Sequence, residues 1–177
     1  MTCIVGIANG AKVYMGADSM VSDGWMKSTM AEGKLWKSGG MLFGSCGLIR
    51  TLQVLRHHLT VPMRADTQDI DEYLVATLMP AVMATLAEQG LFTKSGHVRG
   101  GNSFMLGYSG NLYSIDPSLA VQICADGYGA EGSGAQVALG ALHATPALSP
   151  KQRLTRALEA AAYHELHVAP PFVIQSV

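Results

Sequence analysis

Charge is scarce in this 177-residue chain: only 14% of residues are Asp, Glu, Lys or Arg, and they balance to a formal net charge of −1. Twelve basic against thirteen acidic residues leave no electropositive field for a nucleic-acid backbone, and no Lys/Arg-rich run marks a membrane-surface patch. Cysteine is also sparse. Cys3, Cys46 and Cys124 are odd in number and form no C-x-x-C pair, so a reduced, cytoplasmic protein is expected. No apolar run reaches the roughly 18–20 residues of a spanning helix, so no membrane partner is expected. Met1 to Gly10 lacks the charged and apolar regions of a signal peptide. H-E-x-x-H zinc spacing is missing as well: His164 and His167 stand three apart beside Glu165 with no third ligand evident, and neither metal nor cofactor is expected.

What is abundant is apolar: 49% of the residues are hydrophobic, enough for a sizeable core in one domain spanning residues 1–177. So apolar a surface hints at self-association, and the ten methionines read as adaptable packing or interface residues. The β-branched, apolar segment Thr2–Ala8 is followed by the hairpin dipeptide Asn9-Gly10, and Lys12–Ala17 resumes the apolar run. A looser stretch ends at Gly39-Gly40, and Met41–Ser45 reads as a buried strand. Leu48, Leu52, Leu55 and Leu59 fall at helical spacing, predicting a helix from about Gly47 to Leu59. A second helix is expected over Asp69–Glu88, kinked at Pro80. Gly90–Gly101 reads as a loop, Ser103–Tyr108 and Leu112–Ile115 as a second hairpin, and Leu119–Ala125 as a strand. Helices follow from Ser133 and from Ser149-Pro150, an N-cap and first-turn proline, before a closing strand at Phe172–Val177. Paired helices between runs of antiparallel strands point to an α+β sandwich of three or four layers, not a doubly wound sheet.

Thr2 is the residue with chemistry. With Met1 removed, its hydroxyl can attack a carbonyl while its own α-amine, of ordinary pKa about 7.7–8.0, acts as general base. Asp18 follows Thr2 by 16 positions, and Lys34 follows Asp18 by another 16. The hairpin returns Asp18 beside Thr2. A charged lysine there lowers the hydroxyl's proton affinity, and the carboxylate keeps the lysine charged. Phe43-Gly44-Ser45-Cys46-Gly47 ends a strand and opens a helix, so its backbone N–H groups are candidates for an oxyanion hole.

With these residues in view, the chain resembles the threonine peptidases of the proteasome β-subunit and HslV type, within the N-terminal-nucleophile (Ntn) hydrolases. The resemblance rests on Thr2-Cys3-Ile4-Val5-Gly6-Ile7, Gly16-Ala17-Asp18-Ser19, Lys34 and the Gly47 turn. It continues through Gly107-Tyr108, Leu112-Tyr113-Ser114-Ile115-Asp116-Pro117 and Gly132-Ser133-Gly134, in family order over nearly the whole chain. It implies an αββα sandwich, with two antiparallel sheets between helix layers. It also implies Thr2 as nucleophile and base, Asp18 and Lys34 as its supporting pair, and Gly47 N–H (or Cys46 N–H, one residue earlier) as oxyanion donor. Ser133 would orient the Thr2 amine, and Val21 and Glu32 would line the substrate pocket. The partners implied are identical subunits in stacked rings and a peptide or unfolded-protein substrate, with an ATP-dependent unfoldase left open.

One departure stands out. The family carries an aspartate on or just after the last long helix, whereas this chain has none after Asp126 and offers Glu165 or His164 in that region. This departure, or a retained Met1, would fit a catalytically silent ring subunit. A third reading is an Ntn amidohydrolase with a narrow non-protein substrate. Gly127-Tyr128-Gly129-Ala130-Glu131-Gly132 matches G-x-G-x-x-G, but no acidic residue follows at the distance a dinucleotide site needs; flexible turn glycines are expected there instead.

Overall fold

A computed structural model describes residues 2–177 and shows four layers. The turn at Gly10-Ala11, one residue later than the Asn9-Gly10 dipeptide suggested, folds β1 (Cys3–Asn9) onto β2 (Lys12–Asp18) with Asn9 opposite Lys12 and Ile4 opposite Ala17. The short hairpin β3 (Met20–Ser22) and β4 (Lys27–Thr29) follows, then β5 (Leu35–Ser38) and β6 (Met41–Cys46). Helices α1 (Ile49–His58), α2 (Ile70–Tyr73) and α3 (Met79–Glu88) precede β7 (Ser103–Tyr108), β8 (Asn111–Ile115), β9 (Val121–Ile123) and β10 (Tyr128–Gly132). The chain ends with α4 (Ala135–Ala144), α5 (Pro150–His164) and β11 (Phe172–Ser176). One antiparallel sheet has the order β10-β1-β2-β11, and the other β5-β6-β7-β8-β9.

Three apolar cores fill the three spaces between layers. Alternation along β1 sends Cys3, Val5 and Ile7 outward against Ala138, Leu142, Leu154 and Leu158 of α4 and α5. It sends Ile4 inward, where with Val13, Met15, Leu42, Met105 and Leu112 it forms the core between the sheets. On the far side Phe43, Phe104 and Leu106 pack on Leu52, Leu55, Leu74, Leu78 and Leu86. Both sheets are thus covered on both faces, which is why β1, β2 and β6 read as unbroken apolar runs. The αββα sandwich expected from the sequence is the architecture observed.

Two segments differ in detail from expectation. Beside Pro80 the helix is irregular: a π-helical turn, Leu74–Leu78, precedes the proline, and the Met79 N–H reaches back to Leu74 O. Together α2, this turn and α3 form one helix, Ile70–Glu88, that reaches spanning length by length and composition. Its buried stripe of Tyr73, Leu74, Leu78, Met79, Val82 and Leu86 lies in the core. Finally, Gly127–Gly132 is a turn only at its start, where Gly127 N–H donates to Cys124 O. Tyr128–Gly132 is the edge strand β10, paired with β1 from Ile7↔Tyr128 to Cys3↔Gly132.

The thiols belong to this packing. Burial, helped by the Asp18 carboxylate, pushes Cys3 up to about 12; burial, then the Glu131 carboxylate, pushes Cys124 up to about 11. The unfolded chain releases these protons near pH 9, before the folded chain does, so stability present below about pH 9 is lost as pH climbs towards those values. Urea midpoints should fall between about pH 8 and about pH 10.5, and fall less in Cys3→Ala. Equal slopes in the two proteins would contradict this account of Cys3.

Candidate active site

Thr2, 3% exposed, sits where the ends of both sheets converge. Its main chain is gripped by the turn after β10. Thr2 N–H donates to Ser133 Oγ at 3.3 Å, and Thr2 O accepts from Ser133 Oγ at 3.4 Å and from Gly134 N–H at 3.3 Å. Gly132 has φ +93°, and a Cβ there would stand 2.2 Å from Thr2 O. Only glycine lets β10 run so close beneath Thr2.

Asp18 ends β2, fully buried, and both of its oxygens are used. Oδ1 accepts Lys34 Nζ at 2.8 Å and Cys3 N–H at 2.9 Å, and Oδ2 accepts Met20 N–H at 3.1 Å. Lys34 is only 4% exposed and is held just before β5, where its carbonyl accepts Ser45 N–H from β6. A buried ion pair of this kind persists because backbone donors satisfy the carboxylate's remaining lone pairs.

Thr2, Lys34, Gly47, Val21, Met20, Ser22 and Ile49 line one cleft of about 60 Å³. The structure thus brings together Thr2, Asp18, Lys34, Gly47, Ser133 and Val21. Glu32 is not among them. Its side chain, 58% exposed, pairs with Arg56 of α1 at 3.0 Å and does not line this cleft. Arg56 is anchored at the other end by the carbonyls of Gly33 and Leu35, and this draws Glu32 outward. Glu165 and His164, the residues available where the family carries aspartate, line a separate hollow with Met20 and Lys27, and Glu165 Oε1 accepts His167 N–H.

Asn102 is a residue that sequence reasoning missed. Fully buried, it accepts Leu48 N–H at 3.0 Å and donates to Leu48 O at 3.2 Å, pinning the turn that presents Gly47. Gly47 has φ +105°, and a Cβ there would meet Asn102 Cγ at 2.6 Å. The turn and its buried amide are therefore fitted to one another. A lone Asn after Gly100-Gly101, 54 residues away along the chain, gives no local signal of this role.

Solved structures share the arrangement of layers. Thiobacillus denitrificans BPH in complex with epoxomicin superposes with a TM-score of 0.84 over 99% of this chain and 98% of that chain, at 16% identity. This is the proteasome-like fold. HslV from Trypanosoma brucei gives 0.69 over 99% and 98% at 18% identity. The Anbu (Gly-1) mutant from Hyphomicrobium sp. strain MC1 gives 0.73 over 98% and 80% at 16% identity. No family model and no curated protein matches the sequence. The proteasome-like fold of this chain is therefore shown at the level of architecture, over its whole described length.

Proposed function

We propose that the chain is a threonine-type Ntn peptidase in which Thr2, made N-terminal by loss of Met1, cleaves peptide bonds inside a homo-oligomeric ring in the cytoplasm. Met1 lies outside the described residues. The observation that carries the reading is the convergence on Thr2: Ser133 Oγ at its nitrogen, the buried Lys34–Asp18 pair beside it, and Gly47 across the same cleft. In this mechanism the Thr2 amine takes the hydroxyl proton as Oγ bonds to the scissile carbonyl carbon. The oxyanion faces Gly47 N–H, and the proton passes to the leaving amine. Water, deprotonated by the same amine, then hydrolyses the acyl ester. Met20, Val21 and Ile49 give the cleft an apolar wall suited to an uncharged side chain beside the scissile bond. BPH is a similar structure that holds epoxomicin, which makes that inhibitor a second probe for this chain.

Intact mass before and after exposure to a β-lactone tests the reading. The expected result is a chain lacking Met1 that gains one acyl group, mapped to Thr2. Retained Met1 with no adduct would overturn it in favour of a silent ring subunit. Because the cleft is only about 60 Å³, a narrow amidohydrolase remains the second reading; cleavage of small amides but of neither peptides nor casein would select it.

A further inference from the structure

Glu131 places a half-buried carboxylate at the margin of the apolar space between the sheets. On β10 it pairs with Ile4, whose side chain lies in that core, and it reaches the facing sheet. There its Oε2 accepts Ser103 Oγ of β7 at 2.8 Å, and its Oε1 accepts Ser114 Oγ of β8. The single Ser103 hydroxyl hydrogen is thereby committed. At the 2.9 Å contact between Ser103 Oγ and Cys46 Sγ the thiol must therefore donate, sharing its hydrogen with Ser103 O at 3.4 Å. Burial pushes the Cys46 thiol up, so it stays a protonated donor.

The two ends of this chain of hydrogen bonds are the two sides of the candidate active site. Cys46 directly precedes Gly47, and Glu131 directly precedes Gly132-Ser133, the turn that holds Thr2. Stability alone does not call for such a half-buried link, because even fully buried ionic groups can often be replaced by apolar residues of similar volume without loss. Accepting hydroxyls from β7 and β8 instead fixes how far β10 stands from the facing sheet, and Ser103 carries that spacing to Cys46 of β6. We infer that Glu131 is a positioning residue: through Ser103 and Cys46 it sets the spacing between the Gly47 turn and the Ser133 turn across Thr2. The inference rests on Thr2 being the nucleophile. A misplacement of about 1 Å between reacting groups can cost about 100-fold in rate.

The test is the first-order rate of Thr2 acylation at saturating β-lactone, followed by intact mass, with the thermal midpoint measured on the same samples. Glu131→Met should slow acylation by about tenfold or more, with half-saturation and midpoint little changed. Glu131→Gln, which keeps one acceptor oxygen, should lie between Glu131→Met and the parent. Cys46→Ala should be slowed, and Cys46→Ser, which restores a donor, should recover. Parent-like acylation in Glu131→Met overturns the inference. If Glu131→Met does not fold, parent-like acylation in Cys46→Ala overturns it instead. A parent chain that takes no acyl group sinks the Thr2 reading and this inference with it. A reactive parent with equally reactive variants sinks the inference alone.

Discussion

Thr2→Ala is expected to abolish both acylation by a β-lactone and peptide turnover, a loss of about 10³-fold or more, while the thermal midpoint moves by only a few degrees. Part of the reason is that the main-chain groups of Thr2 are themselves held by the fold. Ser133 and Gly134 hold its nitrogen and carbonyl oxygen, both main-chain groups that alanine keeps. Thr2→Ser keeps a hydroxyl at the same carbon and should retain acylation that Thr2→Ala lacks. An extra residue left ahead of Thr2 should be as silent as Thr2→Ala with the hydroxyl intact, because the base would then be a peptide nitrogen. Intact mass and calorimetry on the three proteins decide the matter. An undiminished adduct in Thr2→Ala would place the nucleophile elsewhere, and collapse of the midpoint would make Thr2 a packing residue.

The site was legible where local geometry repeats itself. A two-residue turn at Gly10-Ala11, signalled by the glycine after Asn9, fixes the register of β1 on β2, and that register puts Asp18 beside Thr2. The αββα order could be read because strands covered on both faces appear as short apolar runs bounded by turn residues, while the covering helices carry apolar stripes at helical spacing. What could not be read depends on distant approach. Glycines at 127, 129 and 132 resemble a turn in sequence. Gly127 does stand in a bend, but Gly129 and Gly132 lie in β10 opposite Gly6 and Cys3 of β1, where a Cβ at Gly132 would be only 2.2 Å from Thr2 O. Asn102 and Glu131 each act on partners well separated along the chain, so no periodicity announces either one. Glu32 came from the family resemblance alone, and nothing near it in sequence announces Arg56, which arrives from α1 and pairs with it away from this cleft.

Lys34→Met is the substitution expected to damage both folding and chemistry, and the two losses can be separated. Methionine fills much of the same volume but leaves Asp18 fully buried, with the Cys3 and Met20 N–H groups in place of a cation. Removing one partner from a buried ion pair typically costs about 3–5 kcal/mol, because the survivor's charge is left uncompensated. Asp18→Asn alone should be comparably harmful, since it strands the Lys34 ammonium, 4% exposed, without its carboxylate. The double variant removes both charges, so urea unfolding should show it more stable than either single variant. Thr2 acylation should nevertheless stay lost in the double variant: the chemistry needs the lysine's positive charge to lower the proton affinity of the hydroxyl, and a neutral, well-packed pair cannot supply it. Recovery of acylation along with stability would show that Lys34 acts on Thr2 through packing alone. Absence of any recovery in stability would show that the pair is not energetically coupled.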